Sequence, residues 1–382
     1  MKRRVIALLA AAHLFDDVNQ GVIPALIPFF VTERGFTIAA AAGLVLAANA
    51  SSSVLQPLFG QIADRRSAPW LVPGGLLLAG IGVALTGLAP TYVLSLAAAA
   101  ASGIGVAAFH PEASRQVHAA SGRRKALAMS LFAVGGNLGF ALGPALATPL
   151  QIKLGLRGTI LLAIPALAMA LTLAFAGRWA AGPKEFAAAS TALEDRWAPF
   201  ARLTIAVACR AIVFAGLNVF IPLYWIRVFN QSNAAGGTAL TVMLSSGVAG
   251  TLAGGWLADR YGRRVVVFAS MTGLVPLLFA FVTASRPGIA LATLVPIGIA
   301  LSLPFSVMTV LGQEYLPGRV GTASGVTIGL AVTLGGLVAP LLGRFADLHG
   351  LQAAVWTIVF VPAVGAAAAL TLPRERARVS PA

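Results

Sequence analysis

The residues best equipped for chemistry sit where the chain is otherwise least polar. His13, Asp16, Asp17 and Gln20 interrupt an apolar run that begins at Val5. A carboxylate at the centre of a membrane helix costs about 2.5–3.5 kcal/mol on insertion scales, so its presence calls for a reason. At about 1.5 Å per residue from Val5, Asp16 and Asp17 lie about 17–18 Å in, near the midplane of a core about 30 Å thick. Adjacent helical residues point about 100° apart, so the two acids are not expected to face one cavity. His13 and Asp17, at i and i+4, share a face that continues to Gln20 and Pro24. Asp17 is therefore the preferred proton site, with Asp16 second: burial penalises the charged form, and alternation between wet and dry surroundings would load and release a proton. A purely structural pairing of Asp17 with His13 or another helix is the competing reading.

A second polar group is "AAFHPEASR", Ala107 to Arg115, at the end of an uncharged run from Tyr92. Counted from Tyr92, His110 lies about 27 Å along its helix, with Glu112 and Arg115 deeper, so the group is expected at an inner gate rather than at the midplane. Glu112 and Arg115 are i, i+3 neighbours, and Pro111 frees the carbonyl of Ala107. His110 and Glu112 are expected to pass a proton between water and the site, and Arg115 to gate it; a helix end reaching the headgroups is the alternative. Arg210, eight residues into a later apolar run, stays charged and so needs an anion: Asp16, Asp17, Glu112 or an anionic cargo. Asn49, Gln56, Asn137, Asn218, Tyr224 and Trp225 complete the polar set, as cargo contacts or as interhelical glue.

Stepping outward, 58% of the residues are apolar and 10% are charged, which excludes a water-soluble globule. The chain reads as an all-α polytopic membrane protein. Twelve spans are expected at 5–31, 38–63, 71–89, 92–118, 126–150, 156–177, 201–228, 235–258, 264–284, 288–313, 323–346 and 351–372. The N-terminal run is the first of these rather than a cleaved signal. The +15 net charge does not point to nucleic acid, because the basic residues lie between apolar runs. Most fall on the side of the termini; the other side holds only Arg34, Lys153, Arg157, Arg227, Arg286 and Arg344, which puts both termini in the cytoplasm. A single cysteine, Cys209, rules out an internal disulfide or a cysteine metal cluster, and no metal is expected.

The chain also repeats itself. "GQIADRR" at Gly60 and "GWLADRY" at Gly255 share GxxADR, and "GFALGP" at Gly139 to Pro144 is echoed by the glycine and proline of Gly335 to Pro340. The offsets, 255 − 60 = 195 and 340 − 144 = 196, give two six-helix bundles, 1–177 and 201–382, joined by a polar linker at 178–200. The glycines of GxxADR are expected to let helix backbones approach closely. Asp64 with Arg65 or Arg66, and Asp259 with Arg260, Arg263 or Arg264, are latch candidates, or else solvated ion pairs worth about 0–1 kcal/mol. Gln313 and Glu314 are either a gate partner for the cluster around Glu112 or a solvated helix end, the second being the preferred reading. Gly135, Gly136, Gly139, Gly143 and Pro144 form a small-residue stripe that tight packing explains by itself.

Both GxxADR copies resemble the signature loop of the major facilitator superfamily, a likeness that spans nearly the whole chain. "HLFDD", "FHPEASR", "VGGNLGFALGP" and "GQEYLPGRVG", in that order, resemble the fosmidomycin-resistance family of bacterial drug exporters. The resemblance implies twelve helices in two pseudo-symmetric bundles and transport by alternating access. For Gly139, Gly143 and Pro144 it implies a pattern associated with antiporters, and for Arg210 it agrees with an anionic cargo such as a phosphonate.

No GxxxxGK[ST], HExxH or GxSxG occurs, so neither ATP hydrolysis nor an intramembrane enzyme is expected. The expectation is a secondary transporter driven by the proton gradient without a cofactor. It exports a small compound from a bacterial inner membrane and works as a monomer, with protons, cargo and lipid as its only partners. Uptake of a small organic anion, by proton symport or facilitated diffusion, is the alternative.

Overall fold

A computed structural model gives the architecture. It describes residues 2–65, 68–121, 125–176, 194–317, 323, 326–327 and 331–373. Every regular element among them is helical. In chain order these are α1 (Arg3–Glu33), α2 (Ile38–Arg65), α3 (Leu71–Leu88), α4 (Tyr92–Ser121), α5 (Lys125–Leu154) and, after a 3-10 turn at Gly155–Gly158, α6 (Thr159–Ala176). Then follow α7 (Trp197–Arg227), α8 (Asn233–Tyr261), α9 (Arg263–Val282), α10 (Pro287–Ser302), α11 (Phe305–Tyr315), α12 (Ala331–His349), α13 (Leu351–Val359) and α14 (Val361–Leu370). In lipid every backbone amide must find its partner within the protein, and a helix supplies those partners inside a single apolar segment.

Among the described residues ten stretches are long and apolar enough to cross a membrane, and one of them, Leu131–Phe175, runs through most of α5 and α6. The expected spans reappear wherever the chain is described; the eleventh, 323–346, falls partly outside the described residues, and two others carry an internal break. The tenth is two helices, α10 and α11, parted at Leu303 and Pro304; the last is likewise α13 and α14, parted at Phe360 just before Pro362. A proline lacks the amide that would continue the ladder and crowds the preceding turn, so each span breaks there.

Packing groups the chain into two compact units. The first takes in the described residues of Met1–Ala187 together with Ala215–Ser245 and Gly336–Ala354. Its core is built by α1, α3, α4, α5 and α6, with Ile6, Leu9, Leu76, Phe109, Val117 and Phe132 buried in one cluster. Glycines let these helices touch: a Cβ on Gly75 would lie 2.6 Å from Gly105 O, and one on Gly82 2.6 Å from the Cα of Ser102. The second unit takes in the described residues of Ala188–Phe214, Ser246–Gly335 and Val355–Ala382. There Gly250 of α8 abuts Ile299 of α10, and Gly365 of α14 lies against Cys209 and Met271. Most of the expected 178–200 linker lies outside the described residues.

Candidate functional site

In the first unit, α1 and α4 bring His13, Asp17 and His110 together. His13 Nδ1 lies 2.8 Å from the carbonyl oxygen of Phe132 on α5, an atom that only accepts, so Nδ1 carries the hydrogen. His13 Nε2 then faces His110 Nε2 at 3.0 Å and Asp17 Oδ2 at 3.3 Å. His110 Nε2 is 3.3 Å from Asp17 Oδ1, to which Gln20 Nε2 also donates at 2.5 Å. On its other edge, His110 Nδ1 meets Gln56 Nε2 of α2 at 3.5 Å, and that amide also donates to Ser52 Oγ at 3.3 Å. Two ring nitrogens 3.0 Å apart need one hydrogen between them, because two lone pairs or two N–H groups would repel. The Asp17–His13 contact likewise needs a proton on one of its two atoms. Mobile hydrogens are thus held by the cluster as a whole.

This geometry corrects the expected depth of His110. It lies against Asp17 rather than apart from it at a gate, and α4, 30 residues and about 45 Å long, exceeds a core about 30 Å thick, so a count from Tyr92 fixes no depth. The expectation that the two acids part company is also modified. Asp16 is fully buried, and its Oδ2 lies 3.9 Å from His110 Nε2, so both acids border the same imidazole. Neither Asp16 oxygen has a hydrogen-bond partner among the described residues.

Glu112 belongs to a different group from His110. Its buried carboxylate accepts from Arg115 Nε at 2.9 Å, Arg115 Nη2 at 2.6 Å and Gln116 Nε2 at 3.0 Å. The i, i+3 spacing gives a bidentate pair, with Arg115 the more exposed partner.

The glycine stripe of α5 packs against α1. A Cβ on Gly139 would lie 2.8 Å from the carbonyl carbon of Leu14, and one on Gly143 2.6 Å from Val22 N. Pro144 is buried on the same helix. Gly136 touches the chemistry itself, since a Cβ there would stand 2.5 Å from both His13 Nε2 and Asp17 Oδ2. The sequence points to packing in this stripe and, through the family resemblance, to an antiporter pattern at Gly139, Gly143 and Pro144, but not to a place for Gly136 in the site. Phe132 went unnoticed because its contribution is a backbone oxygen, for which no side-chain pattern exists.

In the second unit, Arg210 of α7 is 7% exposed. Its Nη1 donates to Leu301 O at 3.4 Å, its guanidinium carbon lies 4.9 Å from the centre of the Phe305 ring, and its Nε has no hydrogen-bond partner. Among the described residues no carboxylate pairs with it. Glu314 accepts from Arg263 Nη1 at 2.8 Å through both oxygens. Arg260 lies over the rings of Trp256 and Tyr261, and Asp259 is exposed. Asp64 and Arg65 end α2, but their side chains lie outside the described residues. The close approach expected at the GxxADR glycines is not met among the described residues: a Cβ on Gly255 would meet none of them within 4 Å, and one on Gly60 only Pro111 Cβ at 3.9 Å.

Of the remaining candidates, Gln20 joins the acid cluster as described. Asn49 packs beside Gly336 of α12, Asn137 is half-buried, and Asn218 and Tyr224 are buried on α7. Gln313 is half-buried on α11. One atom each of His13, Asp17 and His110 lies within 4.8 Å of the others, a spacing that can hold a metal ion. The hydrogen bonds above account for the same spacing with protons alone.

The family model described as Major Facilitator Superfamily matches residues 9–340 and 203–382. The chain is 32% identical to the fosmidomycin resistance protein of Escherichia coli (strain K12), covering 94% of this chain and 91% of that protein. It is 30% identical to YfnC of Bacillus subtilis (strain 168), an uncharacterized MFS-type transporter, over 97% and 93% of the two chains. In fold it is similar to a bacterial homolog of the human lysosomal transporter Spinster, with a TM-score of 0.82 at 16% identity over 98% and 99% of the chains. The chain therefore belongs to the Major Facilitator Superfamily and is a multi-pass membrane transporter of a small molecule.

Proposed function

We propose that the protein is a proton-coupled antiporter that exports a small drug-like or anionic compound by alternating access, with both termini in the cytoplasm of a bacterial cell and one chain forming a complete path. In this reading 1–177 and 201–382 are the two halves, joined at 178–200. The observation that carries it is the His13–Asp17–His110 cluster, whose contacts require shared protons in an otherwise apolar bundle. Gln20 and Gln56 hold the carboxylate and the imidazole in register, and Asp16 offers a second acceptor beside His110. Arrival of a proton from outside neutralises the carboxylate, and return of the cluster to cytoplasmic water releases it.

The buried charge of Arg210 supports an anionic cargo, because its Nε lacks a partner and no carboxylate neutralises it among the described residues. Similarity to a fosmidomycin resistance protein supports export. Reconstituted protein in liposomes with an imposed pH gradient provides the test, with fosmidomycin as the probe. Cargo moving against the proton flow is expected; cargo moving with protons overturns antiport in favour of symport.

A further inference from the structure

The N-terminus of α2 is capped from the far end of the sequence. A helix leaves its first four amides without intrahelical acceptors. Thr37, the residue before α2, opens the regular ladder by accepting from Ala41 N through its carbonyl at 3.0 Å, and its Oγ1 accepts from one orphan, Ala40 N, at 3.1 Å. Two more, Ile38 N and Ala39 N, donate to Asp347 Oδ1 at 3.0 Å and Oδ2 at 3.1 Å. Asp347 lies on α12, and all of these residues belong to the first unit. The carboxylate also meets the positive end of the α2 dipole. One turn earlier on α12, a Cβ on Gly343 would stand 2.9 Å from Ala39 Cα, and further back Gly336 faces Leu46 and Asn49. The two helices therefore meet closely at Gly336 and Gly343, and the seam is fastened at its end by one carboxylate.

A second seam in the same unit has the opposite character. Gly237 of α8 packs on Thr148 of α5, where an added Cβ would lie 2.7 Å from Thr148 Cβ. Thr148 Oγ1 and both amide atoms of Gln151, one turn further on, are buried without hydrogen-bond partners among the described residues. Polar groups dried without partners favour whichever arrangement readmits water.

We propose that Asp347 is a releasable latch that holds the α2 and α12 ends together, opposed by the dry Thr148 and Gln151 groups on α5, so that closed and open arrangements of this end remain close in free energy. The inference rests on the alternating-access reading, which requires both arrangements to be populated. Asp347 suits the role because it is exposed, and water can take over from the two amides when the seam parts.

The test uses the full chain with Cys209→Ala, carrying nitroxide labels at the exposed positions Lys153→Cys and Gln231→Cys, in lipid nanodiscs. Pulsed dipolar spectroscopy reads the fraction of long distances. Asp347→Ala is expected to raise the open-to-closed ratio about tenfold, the scale of losing a charged cap. Asp347→Asn, whose amide oxygen still accepts, restores much of the closed population, and Gln151→Leu shifts the ratio the other way. Asp347→Ser, too short to reach both amides, serves if the alanine variant does not fold. Unchanged distances in Asp347→Ala or Asp347→Ser overturn the latch, as does a rise in long distances with Gln151→Leu. The distances are read without cargo or pH gradient, so a chain that shifts as expected but moves no cargo refutes the transport reading and leaves the latch standing.

Discussion

His13 Nε2 and His110 Nε2 stand 3.0 Å apart, joining α1 to α4 through a contact that is attractive only while one hydrogen lies between them. Asp17 reaches both rings at 3.3 Å. Asp17→Asn keeps the shape and removes the exchangeable charge. Uphill efflux driven by a pH gradient is expected to fall to the level of protein-free liposomes, while the thermal midpoint changes little. Normal gradient-driven efflux in that variant would retire Asp17 as the coupling group.

Glycine substitutions separate the site from the scaffold. Gly136→Ala forces a methyl group against His13 and Asp17 and is expected to destabilise by about 1–3 kcal/mol while abolishing efflux. Gly255→Ala meets none of the described residues within 4 Å and is expected to leave both stability and flux near wild type. Thermal unfolding in detergent alongside liposome flux checks the pair, and equal damage from both would contradict the packing described here.

Arg210 is predicted to decouple stability from activity. Its buried guanidinium has a carbonyl and a ring for company, so Arg210→Met removes a costly charge and is expected to hold or raise the thermal midpoint. Binding of an anionic probe such as fosmidomycin should drop at least tenfold, and Arg210→Lys should recover part of it. Calorimetric titration measures this; undiminished binding to Arg210→Met would remove the residue from the cargo site.

Glu112 is expected to behave as a structural partner of Arg115. Glu112→Gln loses a bidentate, charge-assisted pair and should cost about 1.5–3 kcal/mol of stability. Adding Arg115→Met should return part of that loss, as a double-mutant cycle would reveal. Additive losses would mean that the two side chains act independently.

The helical architecture, the family and the pairing of His13 with Asp17 were all legible from apolar spacing and from the i, i+4 relation along one helix. Relations between helices were not. His110 was counted to a gate because a helix longer than the bilayer gives no fixed origin for depth, and only packing reveals that it meets α1 at Asp17. Pro304 and Pro362 were visible, yet many other prolines, Pro111 and Pro144 among them, lie inside unbroken helices, so proline alone does not locate a break. Asp347 carried no motif, because its partners are backbone amides 309 and 308 positions away.

That separation bears on how the chain matures. The ribosome makes Ile38 and Ala39 early, and their amides must wait for a carboxylate that emerges only after most of the protein has entered the membrane. Until then the start of α2 depends on Thr37 and on interfacial water. Nascent chains truncated before Asp347 should expose this corner to proteases, with protection arriving abruptly once α12 is inserted.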